Sequence, residues 1–253
     1  MIEKYYNGVI EQVAGGIGNV EHNSILVRYS NDFSIWDLES VNHYKDQTDI
    51  FFTCHEFSYN KIAEAYEPYL GLIRQMFHKY CSGTLEEFME ECDVYKLQRP
   101  VFESYFEKGF CERTEQILID EVEYEQERMR NSIVTMLQKL SEIRPVVIVL
   151  NRFQLASKST MQLSNSLLQV KNKNIGIVLG VNDVQSIPEF AHEEWDAICE
   201  SMDDRNMVYH IGNAGRNMEP DVMDYYSDYE SDDGYRKLNN LVYFLDFDQA
   251  DHH

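Results

Sequence analysis

Pro145-Val146-Val147-Ile148-Val149-Leu150-Asn151-Arg152 is the stretch that decides the fold class of this chain of 253 residues. Five consecutive apolar residues, four of them β-branched, follow a proline that ends the helical pattern before it. A strand without polar alternation is buried on both faces, as strands of parallel sheets are. We therefore expect residues 146–150 to form a buried strand of a parallel sheet.

Apolar runs of the same kind alternate with helical patterns along the chain. The other predicted strands are residues 25–29, 50–54, 175–181 and 207–211. The predicted helices are residues 5–14, 34–44, 59–81 interrupted or kinked near Pro68, 112–142, 158–169 and 191–202. This alternation predicts an α/β fold, an open and mainly parallel five-stranded sheet with helices on both faces.

Composition divides the chain into three parts. Residues 1–215 hold the alternating pattern and are expected to form one domain. Residues 216–234 are crowded with acids among tyrosines and serines, which predicts a flexible, solvated segment that could act as an interaction motif. Residues 235–253 return to helical spacing, so we expect a C-terminal helix that could begin a set of helical repeats.

The charge balance excludes two classes of partner. The chain has 44 acidic and 22 basic residues, a net charge of -22. Phosphate backbones and anionic membranes repel such a surface, so nucleic acid and membrane are not expected partners. The five cysteines are widely spaced without a CxxC pair, and no apolar run approaches the length of a membrane span. We therefore expect a cytoplasmic protein with reduced thiols.

The residues around the decisive strand carry a family resemblance. From Pro145 to Thr160 the chain reads PVVIVLNRFQLASKST. This run is similar to the Walker B region of STAND-type AAA-like ATPases, the P-loop NTPase domains found at the front of bacterial multidomain signalling proteins. Looser similarity at 50–54, at 66–70 and at 175–182, the sensor strand, extends the resemblance over roughly residues 24–212. The resemblance implies that the first strand lies inside the sheet, between the sensor strand and the neighbours of the Walker B strand.

The chain departs from this family where the metal would bind. Walker B acids hold magnesium and orient the attacking water, so they have to be carboxylates. At the matching positions stand Asn151 and Arg152. An amide is a poor ligand for magnesium, and a guanidinium repels it, so this degenerate Walker B position predicts loss of catalysis.

The phosphate-binding loop is also missing. A P-loop uses glycines to wrap backbone N–H groups around phosphate and a lysine to neutralise it. After the first predicted strand stand Ser30, Asn31, Asp32, Phe33 and Ser34, without glycine or lysine. The upstream turn Gly15-Gly16-Ile17-Gly18 lacks a preceding strand and does not fit GxGxxG. Bound ATP and magnesium are therefore not expected.

Four polar residues could form a residual site at the carboxyl ends of the strands. His55 and Glu56 follow the second predicted strand, and Asn182 and Asp183 follow the sensor strand. Ligands of open α/β sheets bind at this end. No histidine pattern such as HExxH is present, so we predict neither catalytic residues nor a metal site.

The resemblance implies signal transduction, and we expect a degenerate module that associates with itself or with a protein partner. Two alternatives stay open. One is a working NTPase that takes its phosphate site from Gly15–Gly18, Lys45 or Arg28, and its acid from Glu56 or Asp183. The other is an unrelated α/β binding protein, which a different strand order would favour.

Overall fold

The computed structural model describes residues 2–18, 23–30, 34–47, 49–58, 63–111, 122–170, 172–183, 187–203 and 208–211. Several sequence predictions fall outside these ranges. They concern the P-loop positions Asn31, Asp32 and Phe33, the acidic segment 216–234 and the C-terminal helix 235–253.

A parallel sheet forms the centre of the molecule. Its strands are β1 (Ser24–Tyr29), β2 (Phe51–Glu56), β3 (Val146–Asn151), β4 (Ile175–Asn182) and the short β5 (Val208–Ile211). The order across the sheet is β2-β3-β4-β1-β5, and every neighbouring pair is parallel. The predicted α/β class with a parallel sheet is confirmed.

The register of the strands aligns their carboxyl ends. Glu56 at the end of β2 pairs with Asn151 at the end of β3. Tyr29 at the end of β1 pairs with Asn182 at the end of β4. The polar residues at the ends of the strands therefore lie side by side, where the carboxyl ends of all strands meet. This end of the sheet is called the carboxyl edge below.

Helices cover both faces of this sheet. They are α1 (Ile2–Gly15), α2 (Glu39–Lys45), α3 (Tyr69–Tyr80), α4 (Leu85–Glu91), α5 (Arg99–Lys108), α6 (Val122–Ile143), α7 (Lys158–Gln169) and α8 (His192–Asp203), with 3-10 turns at Ile35–Asp37, Phe153–Leu155 and Glu189–Ala191. Within the described residues, no helix combines the length and the apolar character that crossing a membrane requires.

Side-chain alternation along the strands creates two cores. Val147 and Val149 of β3 pack with α1 and α2 on one face. Ile148 and Leu150 pack with the remaining helices on the other face, in the larger of the two cores. Every residue of β3 and β4 is buried, whereas β2 at the edge of the sheet is half-buried along its length.

Three predicted boundaries are wrong. The pattern expected over 59–81 is interrupted at Pro68 as predicted, but the described residues before it, 63–68, are not helical and α3 begins at Tyr69. The strand expected at 50–54 continues to Glu56, so His55 and Glu56 belong to β2 itself. The helix expected at 34–44 is split into a 3-10 turn and α2. Of the helix expected at 112–142, the structure describes residues from Val122 onward.

Candidate functional site

Asn151 connects three strands at the carboxyl edge of the sheet. Its side chain is fully buried at the end of β3. The Tyr29 hydroxyl of β1 donates to its Oδ1 at 2.8 Å, and its Nδ2 donates to Glu56 Oε1 of β2 at 3.1 Å. These two bonds use both the acceptor and the donor of the amide, so the orientation of Asn151 is fixed.

Arg152 completes this arrangement from the next position. Its backbone is left-handed, with φ 53° and ψ 41°, which turns the chain out of β3 into the following 3-10 turn. Its Nε lies 3.5 Å from Glu56 Oε1, and the two side chains are 23% and 15% exposed. The carboxylate of Glu56 therefore faces an amide donor and a guanidinium at once. Glu56, Asn151 and Arg152 are called the Glu56 cluster below.

Helix α1 closes the space above the Glu56 cluster. The Tyr6 ring is fully buried and meets the Tyr29 ring edge-on, with centroids 6.4 Å apart. A Cβ at Gly180 of β4 would overlap the Tyr6 hydroxyl and lie 2.6 Å from Asn151 Oδ1. Burial raises the pKa of Tyr6 well above its ordinary value, and the nearby Tyr29, Cys54 and Glu56 raise it further. The phenol is held neutral in a packed interior.

The side chain of Asn7, in α1, binds the amino terminus of α2. Its Oδ1 accepts hydrogen bonds from the Ser40 backbone N at 3.0 Å and from Ser40 Oγ at 2.6 Å. In a P-loop protein the helix after the first strand offers these amino-terminal N–H groups to phosphate. In this chain a side chain of α1 already takes one of them.

Two of the residues at which the resemblance predicts a degenerate P-loop, Ser30 and Ser34, are described in the structure. Ser30 follows β1, and Ser34 Oγ accepts a hydrogen bond of 3.4 Å from Trp36 N at the start of the 3-10 turn. Asn31, Asp32 and Phe33 lie outside the described residues.

Of the four residual-site residues, the structure brings only Glu56 to Asn151. His55 points to the opposite face of β2, where its Nε2 lies 3.5 Å from Glu67 Oε1 and its ring packs on Phe57 at 4.5 Å. Asp183 forms an ion pair with Arg28 at 2.8 Å. These acids are thus separated into different pairs instead of converging on one position.

Asn182 is held by the chain that follows β3. Gln154 Oε1 accepts from the Asn182 backbone N at 3.3 Å, and Gln154 Nε2 donates to the Asn182 carbonyl at 3.4 Å. Gln154 is fully buried. Gln154 therefore links the 3-10 turn Phe153–Leu155 to the end of β4 by two hydrogen bonds.

The glycine turn lies at the other end of the sheet. Gly18 N donates to the carbonyl of Lys173 at 2.8 Å, just before β4 begins. A Cβ at Gly176, near the start of β4, would meet Ile17 at 3.3 Å. Since β4 runs for eight residues, roughly 25 Å separates this turn from the carboxyl end. The structure does not bring Gly15–Gly18 to Glu56 or Asp183.

Within the described ranges, no group of three or more histidine, cysteine, aspartate or glutamate side chains is placed to hold a metal ion. At the carboxyl edge, Glu56 is the one carboxylate of the Glu56 cluster. A divalent cation there would replace the contact with the guanidinium of Arg152.

Sequence reasoning missed Tyr6, Asn7, Tyr29 and Gln154. The one signal for Tyr6 is Gly180, since a glycine inside a buried apolar strand indicates that another group approaches closely. The glutamine lies within the family-like run, but its pattern does not reveal that its amide binds backbone.

No family model, no curated protein and no solved structure matches this chain. The family resemblance of residues 145–160 therefore stays a prediction.

Proposed function

We propose that this chain is a signal-transduction module with an ATPase-like fold that does not hydrolyse nucleotide and acts through contacts with another protein. The observation that carries the proposal is the Glu56 cluster. Asn151 and Arg152 stand at the Walker B positions of the resemblance, and the neighbouring carboxylate of Glu56 accepts from the Asn151 amide and pairs with the Arg152 guanidinium.

The strand order supports the ATPase-like fold. β1 is an interior strand next to β4, the sensor strand of the resemblance, and β4 lies next to β3, the Walker B strand. The other neighbour of β1 is β5, which does not touch β3. The first strand is therefore inside the sheet and beside the sensor strand, as the resemblance implies, but its second neighbour differs from the one expected, so the order supports the ATPase-like fold in part.

The electrostatics of the carboxyl edge support loss of hydrolysis. Magnesium prefers several anionic or carbonyl oxygens in an octahedral shell. The Glu56 cluster offers one carboxylate, and the guanidinium of Arg152 lies 3.5 Å from it. The unit charges of the carboxylate and the guanidinium cancel, so the pair gives a divalent cation little net attraction at this position.

The position of α1 supports loss of nucleotide binding. Asn7 caps α2, and Tyr6 fills the space between Gly180 and Asn151. A nucleotide that used the phosphate position of the resemblance would have to displace both side chains from the packed face of α1. This arrangement also counts against the alternative of an NTPase with a non-standard phosphate site, because its glycine turn lies at the opposite end of the sheet.

An exposed aromatic surface supports a function in protein contacts. The Arg128 guanidinium lies 4.1 Å from the centroids of both Tyr95 and Tyr124, and Tyr95, Leu97 and Tyr124 are 37%, 62% and 49% exposed. Tyrosine and arginine are enriched at the energetic centres of protein interfaces. The net charge of -22 opposes the approach of two copies, so a partner with positive charge fits better than self-association.

Isothermal titration of the full chain with ATP and magnesium tests the proposal. We expect no saturable heat of binding and no release of phosphate beyond the buffer rate. The matched titration uses Asn7→Ala, which uncaps α2 without adding a carboxylate, and it is also expected to show no hydrolysis. Micromolar binding of ATP by the wild-type chain, followed by magnesium-dependent turnover, would establish the NTPase alternative.

A further inference from the structure

A cleft of about 500 Å³ lies at the amino end of β2, far from the Glu56 cluster. It is formed by the end of α2, the start of β2 and the second half of α3. Its lining includes Lys45, Phe51, Arg74, His78, Lys79 and Tyr80. This set is called the cationic cleft below.

The charge of the cationic cleft is opposite to that of the molecule. Three of its lining residues are lysine or arginine, one is histidine and none is acidic. The whole chain has two acids for every base. Within the part of the chain that the structure describes, neither Lys45, Arg74 nor Lys79 forms an ion pair with a carboxylate. Cations without acid partners are therefore concentrated here.

Two of the four basic side chains of the cationic cleft bind backbone of the protein itself, and two bind none within the described residues. Arg74 Nε donates to the Phe106 carbonyl at 2.7 Å, and His78 binds the same carbonyl, so these two side chains serve the end of α5. The ammonium groups of Lys45 and Lys79 lie over aromatic rings instead. Lys45 lies over the Trp36 ring at 4.6 Å and Lys79 over the Tyr80 ring at 5.2 Å, and both side chains are exposed. Two ammonium groups held over aromatic rings can still receive carboxylates from solvent.

The cationic cleft also contains part of the sheet edge. Among the described strands, β2 pairs with β3 alone. The outer backbone edge of β2 can therefore receive an extended segment, and lysines beside it select the charge of that segment. This favours an extended acidic peptide over a compact anion.

The chain contains one segment of this chemistry. Residues 219–233 carry seven acids, Glu219, Asp221, Asp224, Asp228, Glu230, Asp232 and Asp233, with Tyr225, Tyr226 and Tyr229 among them and no basic residue. They lie outside the described residues and enter the argument by composition alone. Because a molecule of net charge -22 repels free polyanions, a tethered acidic segment has the advantage of a high effective concentration.

The length of the tether permits this contact within one molecule. β5 ends at Ile211, at the sheet edge opposite β2. Four strand spacings of about 4.8 Å separate the two edges, and the strand length adds roughly 20 Å. An extended chain from residue 212 to residue 224 spans roughly 40 Å. The acids from Asp224 onward are within reach.

We propose that the cationic cleft binds the chain's own acidic segment, residues 219–233, within the same molecule. Carboxylates of the segment pair with Lys45 and Lys79, and its backbone lies along the outer edge of β2. This contact is independent of nucleotide chemistry at the other end of the sheet.

Zero-length carbodiimide cross-linking of the full chain, read by peptide mass spectrometry, tests this proposal. We expect amide bonds from Lys45 or Lys79 to acids in 219–233. An equimolar mixture of ¹⁴N- and ¹⁵N-labelled chains is expected to give cross-linked peptides with one isotope only. Cross-linked peptides of mixed isotope, or links from these lysines only to acids elsewhere, would overturn the proposal.

Charge variants give the matched control. Lys45→Gln with Lys79→Gln is expected to remove the links to 219–233 and to expose the amides of Phe51–Glu56 to faster hydrogen exchange. Lys4→Gln, which removes an exposed lysine of α1, is expected to leave that exchange unchanged. If the wild type shows no such links and instead binds tripolyphosphate at Lys45 and Lys79, the cleft is a small-anion site and the proposal fails.

Discussion

The amide of Asn151 lies between a phenol that donates and a carboxylate that accepts. The Tyr29 hydroxyl donates to Oδ1 of Asn151, and Nδ2 of Asn151 donates to the carboxylate of Glu56. A carboxylate at this position would keep the bond from Tyr29 but would face Glu56 without a donor. The difference between the acid that the resemblance would place here and the amide of Asn151 is thus one hydrogen-bond donor in a buried site.

Replacing Asn151 by aspartate is expected to destabilise the protein by about 2–4 kcal/mol, because a buried carboxylate would face Glu56 and lose the donor. Urea unfolding at neutral pH measures this loss. Adding Glu56→Gln to the Asn151→Asp variant is expected to recover most of it, since the new amide can donate to the introduced carboxylate and Arg152 can pair with that carboxylate. An Asn151→Asp variant as stable as the wild type would contradict the assigned contacts.

Gly180 provides a second residue-scale prediction. A methyl group there would overlap the Tyr6 hydroxyl and crowd Asn151, so Gly180→Ala is expected to destabilise the protein by about 1–3 kcal/mol. Gly8→Ala is the matched control, because nothing lies within 4 Å of its Cβ position in α1. It is expected to stabilise the protein by up to about 1 kcal/mol. Thermal unfolding that shows the same sign for both variants would contradict the packing of α1 on β4.

The sequence predicts the residues of the site unevenly. Asn151 and Arg152 draw attention because they stand where the resemblance would place acids. Tyr6 and Asn7 are not, because a helical pattern indicates that Tyr6 is buried without indicating which strand residue it meets. Their partners Gly180 and Ser40 are distant in the sequence, and only the packing of α1 brings them together.

At the scale of elements, the start of α7 fixes the segment that precedes α3. Ser157 Oγ accepts from Thr160 N at 3.3 Å and caps the helix. The same hydroxyl donates to the Glu64 carbonyl at 3.2 Å, and Thr160 Oγ1 donates to the Glu67 carbonyl at 3.1 Å. The cap of one helix therefore also holds the turn from which another begins.

Ser157→Ala is expected to cost about 1–2 kcal/mol, since it removes the cap and one of the two hydrogen bonds to the Glu64 carbonyl, which also accepts from Glu67 N. Ser166→Ala in the same helix is the control. Its hydroxyl donates back to the Gln162 carbonyl in a half-buried position, so alanine is expected to be neutral or slightly stabilising. Equal losses in urea unfolding would show that the serine at 157 has no special role.

Helices and strands were predictable where a single pattern of apolar residues runs through the whole element. The helix at 158–169 and the strand at 146–150 follow from uninterrupted patterns, and the structure places α7 at Lys158–Gln169 and β3 at Val146–Asn151. The strand ends were not, because polar residues such as Glu56 and Asn151 can end a strand as well as follow one. The interruption predicted at Pro68 is confirmed, but helix was wrongly predicted for the described residues 63–67, because proline disfavours the helical backbone in the residue before it.

At the scale of the whole molecule, the two ends of the sheet differ in charge and in accessibility. The carboxyl edge is closed by α1 and by the Glu56 cluster, whereas the amino end of β2 opens into the cationic cleft. The sequence predicts the class of fold and the excess of acid. It does not predict the cleft, because Lys45 and Lys79 are brought together only by the sheet edge between α2 and α3.

Paramagnetic broadening by Mn²⁺, added together with ATP to the ¹⁵N-labelled full chain, measures directly whether a divalent cation binds at the carboxyl edge. The account predicts that the amide signals of Glu56, Asn151 and Asp183 keep the same intensity as those of Gly16 and Gly176 at the opposite end. Selective loss of the signals of Glu56 and Asn151, strengthened by ATP, would show that a metal-nucleotide site exists there and would contradict the account.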